Sequence, residues 1–147
     1  MAYTISADKT GEIARWVCHG LQMDSQWLQE NITFGFYWNN RLVGGLIFHD
    51  IRPGQDLWWT IYSTDKHWCN RRMLRLMFGL AFEIFRCRRI NLLVSKSNFS
   101  CLNFVEKLGF KREGLLRSFR ENGEDCYFLG MLKQECQWIK LKEKKDE

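Results

Sequence analysis

NFSCLNFVEKLGFKREG, residues 98–114, is the segment with the clearest structural pattern in the chain. Residues 100–108 are predicted to form a helix, and Gly109 follows as a C′ glycine that can end its last turn. The next residues, 110–116, are predicted to form a strand. A helix that leads directly into a strand favours an α/β fold.

The residues on both sides of this segment extend the same alternation over most of the chain. Residues 70–85 are predicted to form a helix with polar and apolar positions on opposite faces, and residues 89–94 an apolar strand covered on both faces. Further strands are predicted at 3–6, 33–38, 41–48, 57–62 and 126–132, helices at 10–18 and 24–28, and turns at Asn39-Asn40 and Asn122-Gly123.

The order of these elements, βααββ followed by βαβαββ, predicts a mixed sheet. The strands at 57–63 and 89–95 are connected through the helix at 70–85. Because parallel strands need such a crossover, we expect these two to run parallel and to diverge at their C-terminal ends.

Length and composition indicate one globular domain. The chain has 147 residues, 46% of them hydrophobic and 27% charged, so we expect a single domain over residues 1–138 and a charged tail over residues 139–147. Without a window of about eighteen apolar residues, a transmembrane helix is not expected. The N-terminus lacks the pattern of a signal peptide, which predicts a cytoplasmic protein without a membrane partner.

The net charge and the positions of the cysteines indicate which classes of binding partner to expect. The formal net charge of +5 favours anionic partners such as a phosphorylated cofactor, whereas a nucleic-acid motif is missing, which makes nucleic acid an unlikely partner. The six cysteines include no C-x-x-C pair, so we expect no metal site. In a reducing cytosol most of them are expected to be buried thiols, and no pair is expected to form a disulfide.

The segment at 98–114 resembles the GNAT superfamily of N-acetyltransferases, in the style of the ribosomal-protein N-terminal acetyltransferases. The resemblance lies in the pattern N-x-x-(S/A)…E-K-L-G-F-x-x-E-G, and residues 80–94 are similar to the helix and strand that precede it. The ending at 123–136 looks like GNAT-type proteins of bacteriophage and prophage genomes, which implies the host cytoplasm. The family implies an α/β fold with a GNAT-like, mostly antiparallel sheet, a parallel central strand pair and flanking helices.

The resemblance also implies a cofactor site for acetyl-CoA, the cosubstrate. In the family the fourth strand bulges and parts from the fifth, and the pantetheine arm bonds to backbone there, which points to Ile61 and Ser63. The pyrophosphate sits on the N-terminus of the next helix. The residues expected to bind the cofactor at the starts of the two helices are Trp68, Asn70, Arg71, Arg72, Asn98 and Cys101.

The family's phosphate signature, Q/R-x-x-G-x-G/A, falls on residues 65–70 and is changed here. Trp68 and Asn70 fill the two glycine positions, and Asp65 replaces the leading residue. Glycine lets the backbone approach phosphate closely. We therefore expect Arg71 or Arg72 to supply charge instead.

The sequence also differs from the GNAT pattern at the positions expected to transfer protons. Many relatives carry a tyrosine as general acid where this chain has Val105, and the strand at 57–63 has no Glu or His. Ser100, Tyr62 and His49 are then the side-chain candidates for catalysis. For each residue a purely structural role is the alternative; for Asn98 it is a helix N-cap.

Two functions follow from the resemblance. The first is an N-acetyltransferase that acts on an amine acceptor, which could be a protein N-terminus, a lysine or a small amine. The alternative is a catalytically inactive GNAT-fold module that binds a host protein or nucleic acid. Acceptor and oligomeric state stay open, and a homodimer is one option.

Overall fold

The computed structural model describes residues 2–139, apart from the side chain of Trp27. Most of the charged tail predicted at 139–147 therefore lies outside the described residues. The chain divides into two compact units. The first unit comprises Met1–Ile51 and Leu57–Met77, and the second comprises Arg52–Asp56 and Phe78–Glu147. The single domain over residues 1–138 stays a prediction.

Seven strands form one mixed sheet. They are β1 (Tyr3–Ala7), β2 (Asn31–Trp38), β3 (Arg41–Arg52), β4 (Asp56–Ser63), β5 (Arg89–Ser95), β6 (Lys111–Leu116) and β7 (Cys126–Leu132). The strand order is β1-β2-β3-β4-β5-β7-β6, and β4 and β5 are the parallel pair in a mostly antiparallel sheet flanked by helices. The predicted fold class and the predicted parallel pair are both confirmed.

The strands are accompanied by the α-helices α1 (Glu12–Gly20), α2 (Arg71–Gly79) and α3 (Phe99–Leu108). The helix predicted at 24–28 is only a 3-10 turn over Ser25–Trp27, where the Asp24 side chain accepts a hydrogen bond from the Gln26 N–H. Within residues 2–139, each helix is too short or too polar to span a lipid bilayer.

Residues that tolerate positive φ form the turn and the helix end that the sequence predicted correctly. Asn39 and Asn40 both have positive φ, 51° and 67°, as a two-residue turn with the twist of a β-hairpin requires. Gly109 ends α3 with φ of 119°, a conformation that a side chain would strain.

The helix predicted over 70–85 differs in its last turns. The α-helical part ends at Gly79, and Leu80–Ile84 continue as a wider π-helical turn. Across this junction Phe78 and Phe82 are fully buried, and their rings stack with centroids 6.3 Å apart. Burial of both rings thus accompanies the wider turn, whereas Ile84 is left 71% exposed.

Each unit has its own apolar core. In the first unit, α1 covers one face of the sheet with Ala14, Val17 and Cys18 packed against Ile47. In the second unit, the largest fully buried side chains are Phe78, Phe82, Ile90, Leu92, Leu129 and Met131. Four cysteines are buried as predicted, whereas Cys69 and Cys101 are partly exposed.

Candidate functional site

Asp65 makes several bonds in the loop between β4 and α2, where the resemblance to GNAT proteins places a phosphate-binding signature. One carboxylate oxygen of Asp65 accepts a 2.8 Å hydrogen bond from the His67 N–H and lies 2.7 Å from His67 Nδ1. The other oxygen lies 3.0 Å from Arg41 Nη2. These bonds, first of all the one from the His67 backbone, lower the pKa of Asp65. The His67 ring also stacks on Trp38, with the ring centres 4.5 Å apart, so residues 65–67 are bonded to both β2 and β3.

Trp68, which the resemblance aligns with a glycine, belongs to the core of the first unit. Its side chain is 7% exposed and packs edge-on against Phe36 at 5.9 Å. Its carbonyl accepts a 2.7 Å hydrogen bond from the Tyr3 hydroxyl. Gly44 makes room for it, because a Cβ there would lie 2.8 Å from Trp68 Cβ. The indole therefore contributes packing to the base of this loop.

The start of α2 is capped by Asn70. The Asn70 side-chain oxygen accepts a 2.8 Å hydrogen bond from the Met73 N–H, and the Asn70 carbonyl accepts one from the Leu74 N–H at 3.0 Å. The N–H groups of Arg71 and Arg72 come before those of Met73 and Leu74 in the first turn and have no partner inside the helix. Both arginines are exposed. This helix start therefore presents backbone donors and guanidinium groups together.

Arg75, one turn after Arg71, adds a third guanidinium to α2. Its Nε is buried and has no hydrogen-bond partner among the residues that the structure describes. The first turn of α2 contains no acidic residue. Arg71 and Arg72, the two arginines in the first turn, oppose the helix dipole, and a bound anion would offset that cost. The sequence pattern gave no reason to single out Arg75, because only burial distinguishes it from its neighbours.

His49 on β3 lies in a hydrogen-bonded chain between two other side chains. Its Nδ1 is 2.7 Å from Asp50 Oδ2, and its Nε2 is 2.8 Å from Thr60 Oγ1 on β4. The side chain is 14% exposed. Burial lowers the pKa of His49, and the hydrogen bond that His49 donates to Asp50 opposes part of that shift. His49 was a candidate from the sequence, whereas Thr60 and Asp50 were not.

Tyr62 on β4 lies against α1. Its ring packs edge-on against Trp16 at 5.1 Å and fills the space beside Gly20. Because side chains alternate along a strand, Tyr62 shares its face of β4 with Thr60. Ile61 points to the opposite face, so a role for Ile61 in cofactor binding rests on its backbone. Ser63, at the end of β4, is exposed.

The remaining candidates from the sequence lie in the second unit, at the start of α3. Asn98 is its N-cap, with a 3.2 Å hydrogen bond from the Cys101 N–H to the side-chain oxygen. Ser100 is exposed. Burial raises the pKa of the Cys101 thiol to about 11, which keeps it protonated and excludes a thiolate role at neutral pH.

A cavity of about 530 Å³ flanks this helix start in the second unit. Its lining combines residues next to Asn98 with residues of β6 and β7 and the loop between them: Lys96, Ser97, Phe99, Leu102, Arg112, Gly123, Glu124, Asp125 and Tyr127. The Arg112 guanidinium lies 4.4 Å from the centre of the Tyr127 ring and pairs with Glu106 at 2.9 Å. Within residues 2–139, no three His, Cys, Asp or Glu side chains come together as a metal site would require.

Comparison of the sequence with protein-family models and with curated proteins finds no match. Solved structures do match over nearly the whole chain. The spermidine N-acetyltransferase from Vibrio cholerae in complex with CoA and spermine gives a TM-score of 0.68 at 15% identity, covering 90% of this chain and 96% of that chain. A mutant form of the spermidine/spermine N-acetyltransferase SpeG from the same organism gives 0.67 at 18% identity, with the same coverage.

A third structure, SpeG from Vibrio cholerae in complex with manganese ions, gives a TM-score of 0.65 at 18% identity and covers 88% of this chain and 92% of that chain. The chain therefore has the fold of the GNAT N-acetyltransferases, as its resemblance implied. The finer likeness to ribosomal-protein and phage-type relatives stays a prediction.

Proposed function

We propose that this protein is an acetyl-CoA-dependent N-acetyltransferase that transfers the acetyl group to an amine acceptor. The observation that carries the proposal is the start of α2, where Asn70 caps the helix and the N–H groups of Arg71 and Arg72 lack intrahelical partners. In the GNAT fold this helix follows the strand that binds pantetheine. Phosphate groups are bound well where backbone donors and cations occur together.

The changed phosphate signature shifts the expected contacts from backbone to side chains. With Trp68 packed in the core and Asn70 used as a cap, fewer backbone groups can approach a pyrophosphate. Arg71 and Arg72 point about 100° apart on the helix, so one of them faces the phosphates. Arg75, with its buried Nε, is a third donor on the same helix.

The reaction requires a neutral amine, a polarised thioester carbonyl and a proton for the leaving thiolate. A backbone N–H of β4 is suited to polarise the carbonyl. His49, Tyr62 and Ser100 are the candidates for proton transfer. Burial of His49 favours its neutral form, which can accept a proton near pH 7.

The acceptor is an amine of one of three classes: a protein N-terminus, a lysine or a small amine. Spermine is bound in one structural neighbour, so polyamines are a natural first probe. The net charge of +5 weakens long-range attraction of a polycation, which makes neutral peptides with a free N-terminus an equally important probe.

Calorimetric titration of CoA into the wild type, Arg71→Ala and Arg72→Ala tests the proposal. One of the two substitutions should weaken binding by about 1.5–3 kcal/mol, the range for hydrogen bonds to charged groups, and less at high salt. Arg117→Ala, which removes an exposed arginine after β6, is the matched control and should leave the affinity unchanged. Binding in the wild type that neither Arg71→Ala nor Arg72→Ala weakens would refute the role of the arginines.

The alternative function is a GNAT-fold module without catalysis that binds a host protein or nucleic acid. The observation that favours it is Trp68, whose indole occupies the place of a phosphate-loop glycine. Wild-type protein that shows no heat of binding at millimolar CoA would favour this module over the enzyme.

A further inference from the structure

Asp50, His49 and Thr60 form a continuous chain of side-chain hydrogen bonds in the first unit. The Asp50 Oδ2 to His49 Nδ1 distance is 2.7 Å, and the His49 Nε2 to Thr60 Oγ1 distance is 2.8 Å. A carboxylate can only accept, so Nδ1 carries the imidazole proton. The lone pair on Nε2 is then left to accept from the Thr60 hydroxyl. The network itself thus assigns the tautomer and the direction of both bonds.

The two ends of the Asp50–His49 hydrogen bond differ in exposure to solvent. The Asp50 side chain is 73% exposed, whereas His49 is 14% exposed. Asp50 has φ of 48°, a conformation that is uncommon for residues other than glycine. Strained residues of this kind are concentrated at functional sites. A hydroxyl, a base and an acid that orients the base are the arrangement that activates hydroxyl groups in enzymes.

We propose that Asp50, His49 and Thr60 act as a proton relay in the acetyl transfer. Thr60 is the catalytic group that takes the proton of the attacking amine, His49 is the base behind it, and Asp50 positions the imidazole. The inference rests on the proposed function and deepens it. Thr60 lies on β4, the strand along which the GNAT resemblance places the thioester.

The step balances in atoms and protons. The neutral amine nitrogen attacks the thioester carbonyl carbon; the C–N bond forms, the C–S bond breaks and CoA leaves as the thiolate. One amine proton passes to Thr60 Oγ1 while the Thr60 hydroxyl proton passes to His49 Nε2. The imidazolium, stabilised by Asp50, then releases its proton to water, and the thiolate takes one from water. The products are the acetylated amine and CoA thiol.

The surroundings of His49 suit a base that works near neutral pH. Among the described residues, Asp50 is the charged group that acts on the imidazole. The flanking strands place polar, uncharged residues beside it: Asn31 of β2 lies opposite His49 in the strand register, and Thr60 approaches from β4. Burial keeps the ring neutral, and the carboxylate stabilises the charge that develops during transfer.

Kinetics of acetyl-CoA turnover test the relay. The amine acceptors are spermidine, a lysine-containing peptide and a peptide with a free N-terminus, and the release of CoA is measured by chromatography. If none of these amines is acetylated, the hydrolysis of acetyl-CoA by water is measured instead. Thr60→Val should lower kcat roughly 100-fold with KM nearly unchanged, the scale of general acid–base catalysis. Thr60→Ser, which keeps the hydroxyl, should restore most of kcat. Thr4→Val, an exposed threonine in β1, is the matched control.

Asp50→Asn supplies a readout that a structural role would not move. Because the Asp50 carboxylate raises the pKa of His49 against the effect of burial, its removal should shift the acidic limb of kcat/KM to lower pH. It should also lower kcat, because the imidazolium that forms during transfer loses the carboxylate that stabilises it. In nitrogen-15 NMR, the His49 signal, identified among the three histidines by its loss in His49→Gln, should show the Nδ1–H tautomer.

The possible results distinguish a failure of the proton relay from a failure of the proposed acetyltransferase function. If the wild type turns over acetyl-CoA and Thr60→Val does so equally fast, or if His49 carries its proton on Nε2, the relay is wrong while the transferase stands. If Thr60→Val only lowers the melting temperature, the hydrogen bond is structural and the relay is wrong. If the wild type neither binds nor consumes acetyl-CoA, the proposed function falls and the relay with it.

Discussion

Replacing Gly44 by alanine tests whether the packing of Trp68 sets the conformation of the loop before α2. Gly44 lies on β3, and a methyl group there would sit 2.8 Å from both Cβ and Cε3 of Trp68. Ordinary contacts between carbon atoms are about 3.5–4.0 Å. Because the backbone fixes both Cβ positions, a new rotamer of the indole cannot relieve the clash with Trp68 Cβ. Either β3 or the loop has to move.

The expected cost follows from two opposing effects. Overpacking of a core costs about 1–3 kcal/mol. Loss of chain freedom in the unfolded state returns about 0.4–1 kcal/mol for a glycine replaced by alanine. The net expectation for Gly44→Ala is a decrease of about 1–2 kcal/mol in the free energy of unfolding. For a chain of this length, at roughly 3 °C per kcal/mol, that corresponds to a melting temperature lower by about 3–6 °C.

Gly114→Ala is the matched control for this experiment. Gly114 is also a strand glycine, it has no positive φ, and a Cβ there would meet nothing within 4 Å. The control should therefore be as stable as the wild type or more stable by up to about 1 kcal/mol. Urea unfolding at equilibrium measures all three proteins under the same conditions. Equal stabilities of Gly44→Ala and Gly114→Ala would show that Trp68 does not pack tightly on β3 and would refute this reasoning.

Three further sets of experiments test the Asn70 cap of α2, the loss of stability at acid pH and the reactivity of the thiols. Asn70→Ala should cost about 0.5–2 kcal/mol in urea unfolding, whereas Asn70→Asp should keep most of the cap; equal losses would argue against capping. The pKa of Asp56 is lowered, mainly by the hydrogen bond from Arg52, so its stabilising effect should disappear as the pH falls below about 4. Asp56→Asn should flatten that part of the stability profile, and an unchanged acid limb would contradict the assignment. With a pKa of about 11, Cys101 should react with iodoacetamide at pH 8 far more slowly in the native than in the unfolded protein. Fewer than six thiols in denaturant without reductant would contradict the predicted absence of disulfides.

The elements that the sequence predicted well are those specified by neighbouring residues. The turn at Asn39-Asn40 and the end of α3 at Gly109 depend on residues that tolerate positive φ, and both are found where predicted. The strand at 89–94 was predicted from its apolar run, and four of these six residues are buried: Ile90, Asn91, Leu92 and Val94. The parallel pairing of β4 and β5 followed from the crossover helix between them.

Predictions weakened where packing between distant residues overrides the local pattern. The apolar face of residues 70–85 has a helical period, yet burial of Phe78 and Phe82 accompanies a change to a π-helical turn after Gly79. Residues 24–28 carry a start signal for a helix and form only one 3-10 turn. A capping residue specifies where a helix can begin and leaves its length to the contacts that follow.

The sequence by itself determined the order of the strands and of α1, α2 and α3, the crossover that makes β4 and β5 parallel, and the resemblance that led to the acetyltransferase proposal. All of these depend on residues close in the chain. Only the tertiary structure decided that Trp68 packs on Gly44 and that His49 lies between Asp50 and Thr60. Contacts between residues eleven or more positions apart depend on how strands pair and which face each side chain takes. A periodic pattern predicts which face of the sheet a side chain takes. It does not predict which residue of the neighbouring strand lies opposite.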